Sequence, residues 1–177
     1  HSCALHPNKL LYIGIPRTDL HIIDVQSGRT LNTIALDANE FPTVAISADG
    51  GLFAVADWTG LVEIGRCRDQ EVFVRIETST AVTSLAFSPS GSWLALGGAD
   101  NVVRRIGLRN DYSIDRQALG VQRAKSPINS LSFLPDTDRI VCGGADGYVR
   151  VWDVCSERNS CPFLNDKWFR NSPPRDR

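Results

Sequence analysis

The chain has 177 residues, 42% of them hydrophobic, with 19 basic and 20 acidic side chains and a formal net charge of −1. That length suits one domain and the apolar content supports a core, while the balanced charge gives no global field to draw in nucleic acid. No apolar run approaches the roughly 18 residues needed to span a bilayer, so membrane insertion is not expected.

The chain begins at His1 and contains no methionine. It is therefore expected to be a processed product or a piece of something longer, and no signal-peptide order of charged, apolar and small residues opens it. The five cysteines, Cys3, Cys67, Cys142, Cys155 and Cys161, are odd in number and include no CxxC. A disulfide framework or a zinc site would need better spacing. Free thiols in a reducing compartment, cytoplasm or nucleus, are the expectation.

Taken in order, the chain reads as repeated units. In the first, Cys3 to His6 runs into Pro7, Leu10 to Ile15 reads as a strand, and Pro16 to Asp19 as a turn. Leu20 to Val25 follows, then a turn at Gln26 to Gly28 and an outer strand at Thr30 to Leu36. The second unit has strands at Thr43 to Ser47, Leu52 to Ala56, Leu61 to Arg66 and Glu71 to Glu77, the middle pair flanking a turn at Asp57 to Gly60. The third runs Ala81 to Leu108, turning at Pro89 to Gly91 and at Asp100-Asn101, with an outer strand expected at Tyr112 to Leu119. In the fourth, Ile128 to Pro135 precedes Ile140 to Val154, which reads IVCGGADGYVRVWDV and turns at Ala145-Asp146-Gly147. Two strand-like runs joined by Asp-Gly are a strong hairpin signal. Cys161 to Asn165 is the candidate for its outer strand, although Pro162 suits only an edge.

Two independent markers give the period. Pro7, Ala48, Pro89 and Pro135 follow the first strands and are 41, 41 and 46 residues apart. Asp24, Arg66, Gly107 and Asp153 end the third strands and are 42, 41 and 46 apart. This lies at or near the 40–45 residues of a four-stranded propeller blade. Inner runs such as Leu52 to Ala56 and Trp93 to Leu96 are apolar throughout, as strands covered on both faces should be. Gly97-Gly98 and Gly143-Gly144 are expected where backbone comes close to a neighbour.

The fourth unit, ending in Trp152-Asp153 and preceded by Ile128 to Pro135, resembles a WD40 repeat, and the resemblance covers about residues 4–154. It implies an all-β propeller segment of about four blades, at 1–36, 37–77, 78–120 and 121–165, with a tail at 166–177. The ring is expected to be incomplete, with further blades from a longer chain or a second subunit. The family's turn aspartate matches Asp100 and Asp146. Its tryptophan position holds Ile23, Gly65 and Ile106 in the first three units and Trp152 in the fourth. Asp100, Asp146, Trp152 and Asp153 are accordingly structural. The family's buried tetrad of His, Ser or Thr, Asp and Trp cannot form as such, because the Gly-His dipeptide is missing and Cys142 fills the serine position.

No catalytic set emerges: there is no GxSxG elbow and no phosphate loop ending in Gly-Lys-Ser/Thr. His1, His6 and His21 are too poorly grouped for a metal, and no cofactor is expected. Arg105 is the odd residue, since it stands where the fourth unit has Val151. A buried guanidinium must be paired or reach solvent, and one that reaches out can anchor an acidic partner. Trp58, in a turn, buries little within its own unit and is a candidate contact. Tyr148, Thr83 and Asn129 join it through their places near the turns and loops that the resemblance puts on one face. The expected function is a non-catalytic scaffold that holds other proteins in a complex. The alternative is a nucleic-acid or ribonucleoprotein subunit using Arg66, Arg68, Arg104, Arg105 and Arg123. Balanced charge and few exposed aromatics argue against direct base stacking.

Overall fold

The structure is a computed structural model that describes residues 2–13, 19–36, 43–69, 71–109, 114–135 and 139–153. Fifteen strands in these residues form four antiparallel sheets, each a simple meander. The first holds β1 (Ser2–His6), β2 (Lys9–Ile13), β3 (Leu20–Asp24) and β4 (Thr30–Ile34). The second holds β5 (Thr43–Ile46), β6 (Leu52–Ala56), β7 (Leu61–Arg66) and β8 (Val72–Glu77). The third holds β9 (Val82–Phe87), β10 (Trp93–Gly98), β11 (Val102–Leu108) and β12 (Ile114–Arg123). The fourth has three described strands, β13 (Ile128–Phe133), β14 (Arg139–Gly144) and β15 (Val149–Asp153). The outer strand expected at Cys161 to Asn165 and the tail at 166–177 lie outside the described residues.

Short polar connections set this meander. After β5 and β9 the chain turns on buried serines. The Ser47 hydroxyl accepts the Leu52 N–H at 2.8 Å, and the Ser88 hydroxyl accepts the Trp93 N–H at 3.1 Å. Each serine precedes a marker residue of the period, Ala48 or Pro89, so the repeat in sequence is a repeat of one turn. The longer 46-residue spacing has a local cause. Between Arg105 and Gly107 of β11, the partner strand advances from Gly120 to Asp115. The surplus is taken up as a bulge in β12, which runs past the expected end at Leu119 to Arg123.

The sheets stack in chain order through their first strands, β1 on β5, β5 on β9 and β9 on β13. Three apolar clusters fill the three spaces between them. Leu20, Ile22, Ile34 and Leu36 meet Val44, Phe53 and Val55 between the first two sheets. Ala54, Ala56, Val62 and Ile64 meet Val82, Leu85, Leu94 and Leu96 between the second and third. Ala95 and Val103 meet Ile128, Leu131, Phe133, Ile140 and Trp152 between the third and fourth. Both faces of β6 are therefore covered, which is why Leu52 to Ala56 is apolar at every position and buried throughout. Among the described residues the first and fourth sheets are not packed on each other, so the stack is open.

Candidate protein-binding face

In each of the last three sheets, the turn between the second and third strands lies beside the loop that enters a first strand. The Thr78 N–H donates to the Gly60 carbonyl at 2.9 Å, Ala99 to Ala81 at 3.0 Å and Ala145 to Pro127 at 2.9 Å. The registers Ala56 with Val62, Gly97 with Val103 and Gly143 with Val149 show that the three turns are equivalent in length.

The second-sheet turn presents Trp58, which is 57% exposed. Directly before it, Asp57 is buried, and one of its carboxylate oxygens accepts from Thr59 N at 2.9 Å, the Thr59 hydroxyl at 2.7 Å and Leu61 N at 2.8 Å. The neighbouring loop closes on the same turn, the Thr78 hydroxyl lying 3.0 Å from the Gly60 carbonyl. Ser79, at the tip of that loop, is exposed and holds a φ of 63°. An exposed indole thus stands on a turn that its own hydrogen bonds hold fixed, the arrangement in which a large aromatic contributes most to binding.

The third and fourth turns carry acid–base clamps instead. Asp100 accepts from Val102 N at 3.2 Å, as turn capping requires, and also from both terminal nitrogens of Arg104 at 3.2 and 2.5 Å. Asp146 accepts likewise from Tyr148 N at 3.2 Å and from Arg150 at 3.1 and 2.6 Å. These fork-to-fork pairs hold both carboxyls below the usual range, Asp146 most strongly. Arg150 is buried, and its guanidinium also lies 5.6 Å from the Tyr148 ring centre. Tyr148, 37% exposed, is therefore backed by a cation that the turn aspartate fixes.

At the place of Arg104 and Arg150 the second sheet has Glu63, fully buried. Arg75 donates to one of its oxygens at 2.7 Å; the other is buried without a hydrogen bond among the described residues. Arg105, the residue singled out in the sequence, is half-buried and stacks over Trp93 at 5.0 Å from the ring centre. Its charge thus meets an aromatic face while the residue stays partly exposed. The Thr83 hydroxyl sits 2.9 Å from the Gly97 carbonyl and also faces the Ile128 carbonyl, which places it between the third and fourth sheets. Asn129 is exposed, at the irregularity of β13 between Ile128 and Ser130.

Trp152 is buried in the last cluster and donates its indole N–H to the Cys142 sulfur at 3.1 Å. Cysteine thus serves as acceptor where the resemblance expects serine. Burial pushes the Cys142 thiol up, and the Cys67 thiol up to about 11. At the second sheet's tryptophan position, an added Cβ on Gly65 would lie 2.3 Å from the Phe53 ring, so phenylalanine from the adjacent strand occupies that space. The Asp153 backbone pairs with Arg139 at the end of β15.

Of the arginines in the nucleic-acid alternative, Arg66 pairs with Glu71 and with Asp69 at 3.3 Å, and Arg104 is held by Asp100. Arg68 and Arg123 are exposed. His6 lies 3.1 Å from the Ala48 carbonyl and His21 3.2 Å from the Thr33 hydroxyl, so the two are separately engaged. His1 lies outside the described residues. Among the described residues no group of three or more His, Cys, Asp or Glu is placed to hold a metal. No helix among them is long and apolar enough to cross a membrane.

Sequence reading missed the pairing of Arg104 and Arg150, the anchoring role of Asp57 and the burial of Glu63. The first had a signal: aspartate and arginine four apart at the same point of two units, a spacing that puts both on one side of a hairpin end.

Repeated antiparallel meanders stacked through their first strands, with turn and loop brought together at one end of each of the last three sheets, define a β-propeller segment. Residues 71–105 and 117–153 each match the family model described as WD domain, G-beta repeat. Over these two stretches the chain carries WD40 repeats. Each matched stretch takes in the outer strand of one sheet and the three strands of the next, β8 with β9–β11 and β12 with β13–β15. Comparison with curated proteins gave no match. WD40 repeats generally mediate protein–protein interaction and scaffolding, and their domains are typically non-catalytic.

Proposed function

We propose that this chain is a non-catalytic scaffold that holds other proteins in a complex, and that the Trp58 turn is its principal contact. The observation that carries this reading is the pairing of high exposure with rigidity. Trp58 offers a large apolar surface to a partner, and the bonds around Asp57 and Thr78 mean that little conformational entropy is lost when it is covered. Tyr148, Ser79 and Asn129 add exposed contacts from neighbouring turns and loops, while Thr83 and Arg105 support the frame. Three cysteines, Cys3, Cys67 and Cys142, are free thiols. This agrees with work in a reducing compartment, the cytoplasm or nucleus. The test is proximity cross-linking from a photoreactive group placed at exposed Glu77, whose backbone pairs with Leu61 beside the turn, compared between the otherwise wild-type chain and Trp58→Ala. Partners whose cross-links fall at least ten-fold in the variant support the reading. An unchanged set of cross-linked proteins, with the fold intact, would defeat it.

A further inference from the structure

Backbone hydrogen bonds join the Trp58 turn to the loop that leaves the third sheet. The Val82 N–H reaches the Asp57 carbonyl at 3.5 Å, and the Ala99 N–H donates to the Ala81 carbonyl, so the loop from β8 to β9 touches the turns of both the second and third sheets. The Ala124 N–H donates to the Asn101 carbonyl at 2.7 Å and brings the loop from β12 to β13 onto the third sheet's turn. Trp58 and the stretch from Arg123 to Lys125 therefore belong to one continuous, hydrogen-bonded surface in the middle of the stack.

Register decides which way the outer strands face. In β11, Arg104 opposes Leu96, which packs toward the second sheet, whereas Val103 packs toward the fourth. Val121 and Arg123 of β12 oppose Arg104 and Val102, so both stand on the side of the second sheet. Val74 and Ile76 of β8 face the same junction and are half-buried against its cluster. Val121 is 60% exposed, and Arg123 is exposed two residues further on. The outer end of this junction thus offers apolar surface with a cation beside it, and the exposed indole of Trp58 stands on the second sheet's turn.

The acids around this surface are already engaged. Asp57 is buried and accepts three hydrogen bonds from its own turn. Asp100 is held by both terminal nitrogens of Arg104. Glu77 opposes Leu61, which packs toward the first sheet, so its carboxylate lies on the opposite side. Arg123 and Lys125 are both exposed and make no ion pair among the described residues. Within a chain whose formal charge is −1, this surface keeps two unopposed positive charges beside its largest exposed aromatic.

We propose that the segment bound at the Trp58 turn is an acidic peptide, with an apolar side chain on Trp58 and Val121 and carboxylates on Arg123 and Lys125. The proposal rests on the reading of Trp58 as a partner contact and adds the chemistry of what it contacts. The guanidinium fork of Arg123 suits a carboxylate through two parallel bonds. Packed sheets lie about 10 Å apart and an extended chain advances about 3.3 Å per residue, so the apolar anchor and the first acid should stand about three residues apart. Nucleic acid is the less suited occupant: tracking a phosphate backbone takes a run of free cations, and Arg66 and Arg104 are both paired.

The experiment is selection of a library of random short peptides on the chain, followed by affinity measurement with the selected peptides. They should be enriched in Asp and Glu, with an apolar residue about three positions from an acid. Their affinity should fall at least ten-fold in the double variant Arg123→Glu, Lys125→Glu, and peptides with Lys in place of the acids should bind that variant instead. Trp58→Ala should weaken the acidic peptides to a similar degree. Selected peptides without acid enrichment, or acidic ones that bind the charge-reversed variant unchanged, would overturn the proposal and leave the Trp58 contact standing. Acidic peptides indifferent to Trp58→Ala would defeat that contact and this proposal with it. A single-stranded oligothymidylate that binds more tightly than the peptides, with a steep dependence on salt, would overturn it in favour of nucleic acid. Circular dichroism checks folding, and if charge reversal unfolds the chain the pair Arg123→Gln and Lys125→Gln is read in its place.

Discussion

At Glu63 a carboxylate is fully buried between the first two sheets, with Arg75 on one oxygen and no hydrogen bond to the other among the described residues. Arg75 is 55% exposed, so the pair is desolvated on one side only. Taking a carboxylate out of water costs several kcal/mol, and one charge-assisted hydrogen bond offsets only part of that. The equivalent arginines avoid this cost differently: each meets an aspartate through two bonds, and the aspartate stays partly in water. Glu63→Leu should therefore leave stability unchanged or raise it by about 1–4 kcal/mol, the range seen when buried ion pairs give way to packed apolar side chains. Urea unfolding of the two chains checks this. A loss above about 2 kcal/mol would mean that the carboxylate holds the sheets together rather than being tolerated between them.

Each sheet solves the same packing task with different residues at the tryptophan position. In the fourth, Trp152 fills the inter-sheet space and its N–H is satisfied by the Cys142 sulfur. Trp152→Ala should cost about 3–5 kcal/mol, as large aromatic truncations in cores do. A thermal melt within the error of wild type would show that the indole is not the filler that its burial indicates. Trp152 was legible as core from the sequence because it ends a strand whose alternate residues must pack. Strand positions were legible for the same reason: apolar runs of strand length bounded by Gly, Pro, Asp and Ser leave few other readings, and Leu52 to Ala56 and Leu61 to Arg66 match β6 and β7 end to end. Compensation between strands was not legible. Gly65 reads as a lost tryptophan, and only the register that places Phe53 opposite it shows where the volume comes from. The stacking of Arg105 on Trp93 was hidden likewise, since the two residues are adjacent only through the pairing of β10 with β11. In the binding face, exposed Trp58 followed from its turn, and the bonds of Asp57 to Thr59 and Leu61 are local, whereas the closure of Thr78 on Gly60 depends on a loop about 20 residues away and could not be read locally.

Across the whole molecule, three separate apolar clusters join four sheets in line, each cluster bridging one neighbouring pair. Stability in such a stack is a sum of sheet terms and nearest-neighbour terms, so weakening one junction should release what lies beyond it and spare the rest. Gly97 is the place to do this. It is buried at the third junction, and a methyl group there would collide with Ile128 unless β13 moved away. Gly97→Ala should cost about 1–3 kcal/mol, as overpacking does. More telling than the sum is its distribution. Amide protection should fall across Ile140 to Trp152 in the fourth sheet, while Phe53 to Ile64 in the second keeps its wild-type exchange, because the first two clusters are untouched. Hydrogen exchange read by mass spectrometry at peptide resolution distinguishes this from the alternative. Equal loss of protection in all four sheets would mean that the stack unfolds as one cooperative unit, with coupling through the backbone connections stronger than the separation of its three cores implies.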